Sequence, residues 1–130
     1  MGAEQTIDLV KVRDFLRKKT EKRNVKVATR LIAAQRDAHM IITHIAATYN
    51  PRRIWQWGSL VDTDHFSEIS DIDIAIEGLA RVEDWFAIIG EAMGMTSFPI
   101  DIIELERVDP DTADGIRRRG RLVHERSEDR

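Results

Sequence analysis

Apolar residues recur at three- and four-residue spacings through the first fifty positions, and no Gly or Pro falls between Gly2 and Pro51. An uninterrupted stretch of that kind predicts helix. Ile7, Val10, Phe15 and Leu16 suggest a first short amphipathic piece. Arg17 to Asn24 is polar throughout and reads as a loop or as a charged part of one helix. From Val25 to Tyr49, Ala28, Leu31, Ile32, Ala38, Ile41, Ile42 and Ile45 form one apolar stripe. Asn50-Pro51 stops it, because the residue before proline disfavours helical backbone.

Beyond Pro51 the period shortens. Arg53-Ile54-Trp55-Gln56-Trp57 is rich in β-formers and ends at Gly58. Leu60 to Ser70 is polar apart from Phe66 and reads as turns. Asp71-Ile72-Asp73-Ile74-Ala75-Ile76 alternates strictly, which is the clearest strand in the chain. Val82, Trp85, Phe86, Ile88, Ile89 and Met93 return to helical spacing, with Trp85 and Phe86 expected on the core face and Gly94 closing the helix. Pro99 to Leu105 is a further strand. Asp109-Pro110 caps a short helix that ends near Gly120, and Leu122-Val123 forms a last edge strand. This order predicts an α/β (α+β) fold, a small mixed β-sheet packed with helices and preceded by a long N-terminal helical segment. We expect a single domain over 1–130, with 1–50 as a helical extension and 53–123 as an α/β core.

Composition narrows the chemistry. The chain has 130 residues, 42% hydrophobic and 33% charged, a globular balance. It has no cysteine, which removes disulfides, thiolate metal sites and cysteine nucleophiles together. No apolar run approaches the roughly 18 residues of a membrane span, and no signal peptide opens the chain, so the expectation is a soluble cytoplasmic protein. The net charge of −3 conceals a strong asymmetry. Lys11 to Arg30 holds nine Lys/Arg against two acids; Leu60 to Asp114 holds fifteen Asp/Glu against two arginines. An acidic middle between basic ends is consistent with cation binding and equally with solvated faces of different sign.

The acids of the alternating strand are the informative ones. Asp71 and Asp73 lie two apart, so both point to one face of a strand. Asp is depleted in strands, and two like charges on one face repel unless a cation stands between them. Mg²⁺ takes carboxylate oxygens together with substrate phosphates. Asp101 lies on the later alternating strand and joins them if the two strands pair. Three carboxylates in one place suit the displacement chemistry of phosphoryl and nucleotidyl transfer. Gly58-Ser59, at a strand end, adds a second half: glycine admits a phosphate close to the backbone, and N–H groups entering a helical turn bind anions.

Taken together, Trp57-Gly58-Ser59, an eleven-residue gap, Asp71-Ile72-Asp73-Ile74 and a third acid on a later strand resemble the minimal nucleotidyltransferases of the DNA polymerase beta superfamily. The resemblance covers roughly Ile54 to Val123. It implies Mg²⁺-dependent transfer of a nucleoside monophosphate from an NTP, ATP being the expected donor, to a hydroxyl of a protein or small molecule. It implies that Gly58 and Ser59 bind the nucleotide and that Asp71, Asp73 and Asp101 are the catalytic, metal-holding acids. Many proteins of this kind are antitoxins paired with a HEPN-type toxin, which gives a partner expectation. In one respect the chain departs from the pattern. Such proteins often carry Arg or Lys just after Gly-Ser, whereas Leu60 to Glu68 holds none and holds three acids. Phosphate charge then falls to the metal, or to Arg52, Arg53 or the run Arg117-Arg118-Arg119.

The remaining residues have plainer readings. His39, His44, His65 and His124 show no metal spacing, although His65 falls in the loop facing the expected pocket. Trp55 and Trp57 share a strand face and read as core. The basic run Lys11 to Arg30 favours a solvated face or an acidic partner over RNA, and the apolar stripe of its helix is compatible with homo-oligomer or partner-helix packing. Three functional readings remain open: a nucleotidyltransferase, a non-catalytic antitoxin that neutralises its toxin by contact, and an RNA binder using the basic helix.

Overall fold

The computed structural model describes residues 8–68 and 70–128. Ile7 lies outside the described residues. The chain begins with one helix, α1 (Leu9–Tyr49), of 41 residues. At 1.5 Å per residue it is about 60 Å long. The polar stretch 17–24 is therefore helical rather than a loop. Lys, Arg and Glu are good helix formers, and Arg17 and Lys18 both pair with Asp14 one turn back. The Asp8 carboxylate accepts from the N–H groups of Val10 and Lys11 and starts the helix. Asn50 ends it in the left-handed region (φ 42°), followed by Pro51.

Among the described residues four strands follow: β1 (Arg53–Trp57), β2 (Ile72–Glu77), β3 (Ile100–Glu104) and β4 (Arg121–Glu125). Two further helices, α2 (Val82–Met93) and α3 (Pro110–Arg119), and single 3₁₀ turns at Gly58–Leu60, Thr63–His65 and Leu105–Arg107 connect them. The sheet order is β3-β2-β1-β4, with β1 antiparallel to both neighbours and β2 parallel to β3. The parallel pair needs a crossover, and α2 supplies it. A mixed sheet with helices and a long leading helix is the fold the hydrophobic pattern predicts.

The two faces of the sheet are covered differently. Ile72, Ile74 and Ile76 of β2, with Ile54 and Ile102, point to one face and pack on Ala34, Ala38, Ile41, Ile42 and Ile45 of α1 and Ile88 and Ala92 of α2. Each fully buried isoleucine contributes roughly 1.5–3 kcal/mol. The opposite face carries a smaller cluster: Ala75, Leu105, Ala113 and Ile116, flanked by Trp55, Trp57 and Ile103. Helix α3 thus roofs only part of that face. Both tryptophans of β1 are packing residues there, as their shared face predicts.

Two expectations change. Only the C-terminal part of α1 is buried; Leu9, Val10, Val12, Phe15, Leu16 and Val25 are all exposed. The stripe breaks at the all-polar stretch 17–24, and among the described residues the first turns take no part in the core. In α2, Phe86 is 67% exposed and sits edge-on against Trp85 rather than in the core. Trp85 is the inward residue, donating its indole N–H to the Ile102 carbonyl at 2.9 Å. Among the described residues no helix is long and apolar enough to cross a membrane.

Candidate active site

Alternation along β2 places Asp71, Asp73, Ala75 and Glu77 on the face that α3 partly roofs, while the isoleucines between them anchor the other face. Register then brings the acids together. Asp73 is the direct partner of Asp101 across the parallel β2–β3 ladder, and of Trp57, the last residue of β1, on its other side. Adjacent strands lie about 4.8 Å apart, so Asp73 and Asp101 are neighbours. Asp71 stands just ahead of β2, where the Ile72 N–H already bonds the Pro99 carbonyl and ties the two strand entrances together.

The turn at Gly58 completes the arrangement. Gly58 has φ +76°, a left-handed conformation that favours glycine. Its position is also closed sterically: a Cβ there would collide with the Asp73 carboxylate. Glycine is therefore demanded twice, by the backbone angle and by the acid packed against it. The 3₁₀ turn starts at this residue, and its first bond runs from the Val61 N–H to the Gly58 carbonyl. The N–H groups of Ser59 and Leu60 precede that bond, as donors at a helical turn's start do.

Electrostatics separates this corner from the rest of the sheet. Asp73 is half-buried, and burial is the largest cause lifting its carboxyl to about pKa 7; the neighbouring charges of Asp101 and Asp71 add to it. Among the described residues none of the three makes a hydrogen bond or ion pair to neutralise it. Nor, among those residues, are any three His, Asp or Glu gathered into a ready-made metal cage. Like charges on a shared face spread rather than converge when only water screens them. The donor set nevertheless suits a hard divalent cation, being carboxylate oxygens without nitrogen or sulfur.

Beside the Gly58 turn lies a cleft of about 600 Å³ between that turn and α3. Ser59, His65, Asp111 and Arg119 are among its lining residues. The His65 ring is already engaged, its Nδ1 lying 2.8 Å from the Asp62 carboxylate. The question of which arginine approaches the turn is answered by the ion pairs. Arg53 is bound to Glu125 at 2.8 Å and lies near Glu77. Arg117 is held by Glu77 and Asp114. Arg118 donates back to the Asp114 carbonyl. Arg52 packs beside Gly78, at the opposite end of β1 from Gly58. Arg119 alone of these lines the cleft, a placement invisible in a run of three consecutive arginines.

The corner therefore joins a glycine turn to three carboxylates that have no hydrogen-bond or ion-pair partner among the described residues. A comparison with curated proteins finds no match. A family model described as Polymerase beta, Nucleotidyltransferase matches residues 41–129. The match takes in β1, the Gly58-Ser59 turn and all three acids, and it also includes the last two turns of α1, which pack beneath the sheet. It spans well over half of the chain, and on that ground this protein belongs to the polymerase beta nucleotidyltransferase family.

Proposed function

We propose that the protein transfers a nucleoside monophosphate from an NTP, ATP in the first instance, to a hydroxyl of an acceptor, in a Mg²⁺-dependent reaction. Gly58 and Ser59 cradle the triphosphate: the glycine keeps side-chain bulk away, and the Ser59 hydroxyl and turn N–H groups donate to phosphate oxygens. Asp71, Asp73 and Asp101 hold the divalent cation, which when bound neutralises phosphate charge and acidifies the acceptor hydroxyl. Asp101, exposed on the edge strand β3, faces the acceptor side; Asp73, pressed against Gly58, faces the phosphates. The acceptor oxygen attacks the α-phosphorus and pyrophosphate leaves. The observation that carries this reading is the contact between Asp73 and Gly58, which puts the acid ladder and the anion-binding turn within one corner.

The proposed setting is that of an antitoxin acting on a HEPN-type partner, which would supply the acceptor hydroxyl. The projecting half of α1, with Phe15 and Leu16 exposed, supports partner binding. The same surface favours a second reading, in which contact alone neutralises the partner and the site need not turn over. Transfer of label from α-³²P-ATP to a co-purified partner tests the first. Loss of transfer in Asp73→Asn with retained neutralisation would favour the second. Absence of any Mg²⁺-dependent NTP effect on thermal stability would remove the catalytic reading.

A further inference from the structure

We propose that Arg119, at the end of α3, is the cation that binds the triphosphate in this protein. The inference rests on the nucleotidyltransferase reading above and assigns a residue to it. Three observations carry it. Among the described residues, Arg119 is the one Lys or Arg lining the cleft beside Gly58 and Ser59. Among the described residues its guanidinium has no carboxylate partner; its one bond is a long Nε donation to the Gly115 carbonyl, 3.5 Å, within its own helix. Arg117 is held by Glu77 and Asp114 and Arg53 by Glu125, while Arg118, which likewise bonds only a backbone carbonyl of its own helix, does not line the cleft.

Gly115 explains how the side chain reaches that position. A Cβ at Gly115 would stand 2.9 Å from a terminal guanidinium nitrogen of Arg119. The glycine clears a track along α3, one turn back, on which the arginine lies across the helix toward the cleft. Glycine costs a helix interior about 1 kcal/mol relative to alanine, and backbone conformation does not require it here. Asp62 and Asp111 also line the cleft, so a triphosphate entering it meets two acidic residues and gains from a cation there. With Leu60-Val61-Asp62 following Gly58-Ser59, the turn itself provides none. In this chain the positive charge beside the turn comes from the facing helix α3.

The test is binding of ATP with Mg²⁺, and of inorganic tripolyphosphate with and without Mg²⁺, to the full chain and to three variants. Arg119→Ala is expected to weaken both ligands about tenfold, as loss of a charge-assisted contact does, with adenosine binding unchanged. Arg119→Lys should recover part of the loss. Gly115→Ala keeps every charge and favours the helix, yet should weaken tripolyphosphate severalfold by displacing the guanidinium. Melting curves by circular dichroism confirm that each variant is folded. Tripolyphosphate and ATP affinities within twofold of wild type in Arg119→Ala would overturn the assignment and leave the proposed function standing. A wild-type chain that binds neither ligand would overturn both.

Discussion

The two ends of strand β2 present the same chemistry on the same face and treat it in opposite ways. Glu77, at one end, is a buried carboxylate surrounded by donors: the Trp55 indole N–H at 2.8 Å, Arg117 at 3.3 Å and Arg53 at 3.8 Å. Burial alone would raise its pKa, but the bonds from Arg117 and Trp55 outweigh burial and hold it below the usual carboxylate range. Asp73, four residues earlier, is half-buried with two more acids beside it instead of donors, and burial first, then those charges, raise its pKa. The protein neutralises one carboxylate from within and, among the described residues, gives the other no donor. A half-buried carboxylate shifted in this way, beside a turn and two further acids, is a candidate for a functional site.

The largest effect expected on that contrast is catalytic. Asp73→Asn or Asp101→Asn should lower nucleotidyl transfer on the order of 10²–10³-fold, the scale of losing one preorganised charge partner. Glu77→Gln, on the same face, should change turnover far less; equal losses in label-transfer assays would erase the distinction between the two ends.

Gly58→Ala comes next, at about 3 kcal/mol of stability from left-handed strain and the collision with Asp73. Urea unfolding measures it, and a shift within 0.5 kcal/mol would show, by order of magnitude, that the turn yields easily.

Glu77→Ala strands Arg117 and the Trp55 N–H, at about 2 kcal/mol. The sign with pH follows from the lowered pKa. The contribution is present above the ordinary carboxylate range and is lost as pH falls through the folded value, so wild type and variant should converge in acid.

Asp73→Asn should do the reverse. Its folded pKa, about 7, lies above the ordinary 3.8, so the native state binds the extra proton and loses stability as pH rises between those values. With EDTA at pH 8 the variant should therefore melt a few degrees higher than wild type, about 1 kcal/mol after allowing for solvent screening at a half-exposed site. At pH 4 the difference should vanish. A lower melting temperature for the variant at pH 8 would mean that Asp73 is stabilised in a way the structure does not contain.

The exposed first half of α1 shows where local pattern was ambiguous. The run 17–24 reads equally as loop or charged helix, because helix formers without an apolar stripe fit both; the absence of Gly and Pro and the pairing of Arg17 and Lys18 with Asp14 settle it as helix. Phe86 failed differently: its spacing matches the apolar face of α2, but the sheet meets that helix at Trp85, Ile88 and Ala92, and a one-residue offset turns a side chain by about 100°.

Strand and helix order and the alternation that puts Asp71 and Asp73 on one face are properties of short segments, and the amino-acid sequence by itself determined them; that position 58 must be glycine was decided by Asp73 packing against it. Register between β2 and β3, which makes Asp101 the neighbour of Asp73, is a long-range pairing set by how Ile72, Ile74, Ile76 and Ile102 pack over α1 and α2. The choice among consecutive arginines is of the same kind. Side chains at 117, 118 and 119 leave α3 about 100° apart, so only the position of the helix over the sheet decides that Arg117 meets Glu77 while Arg119 enters the cleft.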